Sequence, residues 1–192
     1  MNQLESIFWG IIAGLSAIFI ELIVFVGYSL ATNSTSEISL LKFFTLPGLV
    51  IAAVFIEEIC KYAVIATRID MLSLKWSYFL NSLLVGLGFF AVELGLILQS
   101  GTLPSYNLIG ELAIVHMGTC ALMGYVVTFR NPKKLNTFLL AIFPALIFHV
   151  SYNILSLQRN FTTDYGIDFL LTLLVFFVCA SALDITHRLA RE

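Results

Sequence analysis

The chain has 192 residues, 59% of them hydrophobic and 11% charged, with a net charge of -2 and a mean hydropathy of +0.97. A water-soluble domain is nearer half apolar and a quarter charged, so these values exclude an ordinary soluble enzyme, a disordered chain and a nucleic-acid-binding protein with a basic face. They predict an all-α polytopic membrane helix bundle, a single transmembrane domain over 1–192 whose solvent is the lipid bilayer.

Six spans are predicted in chain order: roughly 7–30, 43–66, 78–98, 108–129, 136–157 and 167–185. Each is close to the ~20 apolar residues that cross the hydrocarbon layer as a helix. The breaks between them are short and polar: Thr32-Asn33-Ser34-Thr35-Ser36-Glu37, Thr67-Arg68-Ile69-Asp70, Ser100-Gly101-Thr102-Leu103-Pro104-Ser105, Arg130-Asn131-Pro132-Lys133-Lys134 and Gln158-Arg159-Asn160. Each carries turn formers or helix stops. The alternating ~10-residue segments of a membrane barrel do not occur. Ser29-Leu30-Ala31 resembles a signal-peptidase site. However, Met1-Asn2-Gln3-Leu4-Glu5 lacks a basic leader and the apolar run is too long, so the first span reads as a retained helix.

Lysine and arginine set the expected orientation. Arg68, Lys75, Arg130, Lys133, Lys134, Arg188 and Arg191 fall on one side, Lys42 and Arg159 on the other, and Lys61 lies inside a span. Both termini are therefore expected to be cytoplasmic. Two glycosylation sequons, Asn33-Ser34-Thr35 and Asn160-Phe161-Thr162, would face outward. Cys60, Cys120 and Cys179 all fall within spans, an odd set that reads as packing residues rather than a disulfide framework. Cys60, lying between acidic and basic residues, is the one with a potential for thiol reactivity.

The informative residues are the ionisable groups within spans, each a functional-site hypothesis because its insertion costs a few kcal/mol. They are Glu21, Glu57, Glu58, Lys61, Glu93, His116 and His149. Glu111 sits near one end of the fourth span, and Asp168 and Asp184 at the ends of the sixth. Glu57 and Lys61 stand at i and i+4 on one helix face, and Glu58 is rotated about 100° away. A structural ion pair accounts for Glu57 with Lys61 but leaves Glu58 needing its own partner. On the next span Phe89 and Glu93 are again at i and i+4, after glycines that allow close helix approach. His116 follows on the fourth span. His149 and Asn153 share a face of the fifth, a pair of neutral donors of the kind that stabilises an oxyanion. At 1.5 Å per residue Glu58, His116 and His149 lie about 15–22 Å from the nearest cytoplasmic-side charges, whereas Glu93 lies about 27 Å from Lys75. That depth puts Glu93 nearer the outer face, a gap that helix tilt or snorkelling of Lys75 would partly close.

Taken in order, Glu57-Glu58-Ile59-Cys60-Lys61, Phe89-Phe90-Ala91-Val92-Glu93, His116 followed by Gly124-Tyr125, and His149-Val150-Ser151-Tyr152-Asn153 resemble the motifs of the PrsW-like glutamic intramembrane peptidases. That family lies within the superfamily of CAAX prenyl endopeptidases and bacteriocin-processing membrane proteases. The resemblance covers spans two to five, a motif-bearing core of about 43–157. It departs from the pattern at Leu94, where PrsW-like proteins tend to have Asn, and Glu111 five residues before His116 is a feature of a related group. The resemblance implies an integral protein of a prokaryotic cytoplasmic membrane. It implies hydrolysis of a peptide bond in a membrane-associated protein or peptide, with no cofactor.

On this reading one carboxylate of Glu57 and Glu58 takes a proton from the attacking water, and the pair titrates as a unit. Glu58 is the expected base because Lys61 is placed to occupy Glu57. His116 positions the water or carries the proton, His149 and Asn153 hold the oxyanion, Lys61 orients Glu57, and Glu93 supports a histidine or completes the water site. Phe89 supports the cluster. Two alternatives stay open. Buried carboxylates and histidines also build proton or cation pathways in transporters. Three carboxylates and two histidines could instead bind a metal in a metal-dependent membrane peptidase.

Overall fold

A computed structural model describes residues 3–31, 47–68, 75–101 and 103–191. Among the described residues the chain is all-helical. The helices are α1 (Gln3–Ala31), α2 (Pro47–Arg68), α3 (Lys75–Gln99), α4 (Tyr106–Phe129), α5 (Leu135–Leu157) and α6 (Phe161–Leu189). Met1, Asn2, the sequon at Asn33, Lys42 and the Ile69-Asp70 break lie outside the described residues.

Five helices are long and apolar enough to cross a membrane, and α2 is the exception. Glu57, Glu58 and Lys61 sit near the middle of this 22-residue helix, so every 18-residue stretch of it carries all three charges. The groups that make α2 chemically interesting are the ones that lower its apolarity. Large apolar side chains such as Phe19, Phe143, Phe169 and Leu183 stand exposed on the outside of the bundle, where hydrocarbon would cover them.

Helix ends follow local chemistry. Pro47 opens α2, where a missing N–H costs nothing. The Ser105 hydroxyl accepts from the Leu108 N–H at 3.2 Å and starts α4. Hydropathy places the last span at 167–185, but α6 begins six residues earlier. The Asn160 carboxamide accepts from the N–H groups of Thr162 and Thr163, and the Thr163 hydroxyl accepts from the Asn160 N–H, which closes a capping box. The Asn160 sequon is thus a helix cap.

The bundle is organised around α4, which is 67% buried along its span against 17% for α6. It touches α2, α3, α5 and α6. Glycines permit the closest crossings. A Cβ on Gly86 would meet the His116 carbonyl and the Met117 Cα, so α3 and α4 touch backbone to backbone beside a site histidine. Gly10 of α1 and Gly88 of α3 are pressed against Val85 and Ile7 carbonyls in the same way. This small-residue packing is how membrane helices approach when burial of apolar surface drives nothing.

Candidate active site

Four helices each present part of one polar cluster. α2 supplies Glu57, Glu58 and Lys61, α3 Phe89 and Glu93, α4 His116, and α5 His149. Glu58, Lys61 and His116 are completely buried, and the His149 side chain is nearly so.

Lys61 is the hub. Its Nζ donates to Glu58 Oε1 at 2.6 Å and to His116 Nδ1 at 2.9 Å, lies 3.8 Å from Glu57 Oε2, and sits 4.3 Å above the centre of the Phe89 ring. A lysine ammonium has only donors, so His116 Nδ1 must accept. His116 Nε2 then carries the proton and donates to Glu93 Oε2. Phe89 also lies against the His116 ring, with centroids 5.0 Å apart. The aromatic face gives the ammonium a fourth neighbour that needs no hydrogen bond.

His149 is the second hub. Its Nδ1 lies 2.6 Å from Glu58 Oε1 and its Nε2 faces Glu57 Oε2 at 3.7 Å. The two imidazoles meet edge to face at 5.0 Å. Glu58 therefore holds a cation and a histidine through Oε1, while its Oε2 is buried with no hydrogen-bond partner among the described residues. Glu57 is only partly covered, at 16% side-chain exposure, and its Oε2 is buried with no hydrogen-bond partner.

This geometry corrects one expectation. The i, i+4 spacing assigns Lys61 to Glu57 and leaves Glu58 as the base, whereas Lys61 pairs closely with Glu58 at i+3. Either spacing puts side chains on adjoining positions of a helix face. Glu57 is therefore the carboxylate left without a close lysine. Glu93, which depth along a straight helix puts nearer the outer face, makes the histidine bond expected of it. In the structure it is bonded directly to His116, because α3 crosses α4 closely at Gly86.

Asn153 lies one turn beyond His149 on α5 and is half-buried. No hydrogen bond joins it to the cluster among the described residues, so the expected His149–Asn153 pair shares a helix face without sharing a partner. Glu21 had no assigned role. It lies on α1 within electrostatic range of Glu57, Glu93 and Lys61, and its Oε1 is buried and unpartnered. Ala17, one turn earlier on α1, packs with Phe89, Ile56 and Cys60, which aims that face of α1 at the cluster. The signal for Glu21 was its charge within the first span, but no spacing tied it to a second residue.

Two smaller polar clusters occupy the ends of the bundle. Glu111 accepts from Arg159 and, at 3.2 Å, from the Tyr152 hydroxyl. Asp184 accepts from the Tyr125 hydroxyl and from Arg188, each at 2.8 Å. The cysteines are free, and Cys120 is buried against the cluster side of α4.

No family model, curated protein or solved structure matches the chain.

Proposed function

We propose that the cluster hydrolyses a peptide bond in a membrane-associated protein or peptide, with Glu57 as the base that activates water. The observation that carries this reading is the buried Glu57 Oε2, without a hydrogen-bond partner among the described residues and 3.7 Å from His149 Nε2. With Nδ1–H given to Glu58, His149 Nε2 is a lone-pair acceptor. A water placed between these two atoms can donate one hydrogen to each, at ordinary distances of about 2.8 Å. Its own lone pair is then left to attack a carbonyl carbon. The ordered motifs that resemble those of PrsW-like peptidases support the same assignment.

In the proposed reaction Glu57 takes a proton as the water oxygen bonds to the scissile carbon. The carbonyl oxygen becomes an oxyanion. Asn153, one turn from His149 and without a side-chain hydrogen bond among the described residues, is the donor assigned to it. Glu57 then returns its proton to the amide nitrogen, the carbon–nitrogen bond breaks, and a carboxyl and an amine leave. Lys61, held by Phe89 and by His116, which Glu93 anchors, keeps Glu58 on His149 and so fixes the direction of His149 Nε2. The chain would lie in a prokaryotic cytoplasmic membrane, with both termini on the cytoplasmic side where most lysines and arginines cluster.

The test compares new protein termini in membranes of source cells carrying wild-type, Glu57→Gln or Glu58→Gln protein, followed by cleavage of the candidates by reconstituted protein. Termini that vanish with Glu57→Gln and reappear in the reconstitution support the reading. An identical set of termini in all three strains would sink it, and loss with Glu58→Gln alone would return the base to Glu58.

A further inference from the structure

We infer that Glu57, His116 and His149 form a binding site for one zinc ion, which takes the place of the attacking water and blocks hydrolysis. The inhibitory half rests on the peptidase reading, and the binding half does not.

One donor atom from each of the three side chains lies within 4.8 Å of the others. A carboxylate with two imidazoles is a donor set that zinc uses when its fourth position is left to water. Tetrahedral donors about 2.1 Å from zinc stand roughly 3.4 Å apart, so the three groups need to close by at most about 1.4 Å. Calcium and magnesium prefer all-oxygen shells, and the two imidazoles select against them.

The groups behind the donors fit as well. Histidines that hold a metal usually donate their other N–H to a carboxylate, which fixes the ring and its tautomer. Both histidines do so here. His149 gives Nδ1 to Glu58 and His116 gives Nε2 to Glu93, which leaves His149 Nε2 and His116 Nδ1 as acceptors. Two carboxylate oxygens, Glu57 Oε2 and Glu58 Oε2, are buried without a hydrogen-bond partner.

Charge points the same way. With neutral imidazoles, Glu57, Glu58 and Glu93 against Lys61 leave two uncompensated negative charges among buried groups, an expensive state in a poorly solvated interior. A divalent ion neutralises them. The Lys61 ammonium, 2.9 Å from His116 Nδ1 and 3.8 Å from Glu57 Oε2, shows that a cation is already drawn to this point. To admit zinc, Lys61 gives up His116 and keeps its shorter bond to Glu58.

The test is equilibrium dialysis of the full chain in detergent against zinc chloride, with elemental analysis. Cobalt substitution adds an optical readout of four-coordinate geometry. One zinc per chain is expected for wild type, with affinity at least tenfold lower in Glu57→Gln and His149→Gln and unchanged in Glu111→Gln. Glu93→Gln, which removes only the carboxylate behind His116, should weaken binding 10–100-fold. If His149→Gln does not fold, the near-isosteric Glu57→Gln decides. No bound zinc, or equal binding in Glu57→Gln, overturns the site. Zinc should slow peptide cleavage and a chelator should restore it, whereas cleavage that requires zinc overturns the inhibitory role. A wild-type protein that binds zinc but cleaves nothing contradicts the peptidase reading and leaves the metal site standing.

Discussion

The central cluster and the Glu111–Arg159–Tyr152 cluster are built from the same chemistry. Each has a carboxylate, a long cation and a group that donates to the carboxylate. They differ in balance. At the end of the bundle one carboxylate meets one guanidinium and one phenol, with Arg159 36% exposed. In the middle three carboxylates share one ammonium, Lys61 is fully buried, and carboxylate oxygens remain without partners. A cluster that only fastens helices tends towards the first arrangement, because unmatched buried charge destabilises the fold. Unmatched charge retained at the centre of a bundle is what a site that handles protons or cations requires.

The largest expected effect breaks this contrast at its functional end. Glu57→Gln keeps size and shape but removes the base, and should lower the cleavage rate by roughly 10²–10⁴-fold. Glu111→Gln, at the balanced cluster, should leave the rate near wild type. Paired rate measurements on the two variants decide whether imbalance marks the site. Equal losses would show that it does not.

Next in size is the stability cost of removing the shared cation. Lys61→Met leaves Glu58 buried with only His149, and breaking a buried pair in this way costs about 3–5 kcal/mol. Unfolding in mixed micelles would measure it. The double variant Glu58→Gln/Lys61→Met should recover a large part, since the stranded charge is gone. If Lys61→Met proves as stable as wild type, Lys61 is not the hub that its contacts describe.

Gly86→Ala probes how the site is held rather than what it contains. Its Cβ would meet the His116 carbonyl and the Met117 Cα, which are backbone atoms that cannot rotate aside. Overpacking of this kind costs about 1–3 kcal/mol. It should also reduce cleavage by shifting His116 against Glu93. Gly118→Ala meets only the outer carbons of the Leu174 side chain, which can shift, and should be milder in both measurements.

Much of this was readable before the fold was known, and the failures have physical causes. Helix positions follow from apolar length, because a membrane helix must satisfy its backbone internally. The early start of α6 was hidden because Thr162, Thr163 and Asp164 read as loop by polarity, yet their backbone and side chains complete the Asn160 cap. The choice between Glu57 and Glu58 was hidden because i+3 and i+4 partners are near-equivalent on a helix. Only the position of His149 on α5, which draws Glu58 inward, separates them. The bond from a histidine to Glu93 was readable, but which histidine was not, because it depends on α3 crossing α4 at Gly86. Glu21 lay in plain sight as a charge in an apolar span, but contact between distant helices leaves no spacing to read.

The smallest expected effect belongs to the balanced cluster, and its size is the sharpest check on the comparison. Arg159→Gln removes the cation from Glu111. Arg159 is about one-third exposed, and the Glu111 side chain keeps some contact with solvent. Water and the Tyr152 hydroxyl can therefore serve the carboxylate that the guanidinium leaves. Exposed pairs of this kind contribute about 0–1 kcal/mol. The variant should unfold in mixed micelles close to the wild-type midpoint and cleave at the wild-type rate. The same chemical change, loss of one cation beside a carboxylate, is expected to cost several times more at Lys61. If the two losses came out equal, burial and charge surplus would not distinguish the clusters. Motif resemblance, which does not separate Glu57 from Glu58, would then be the remaining support for the site.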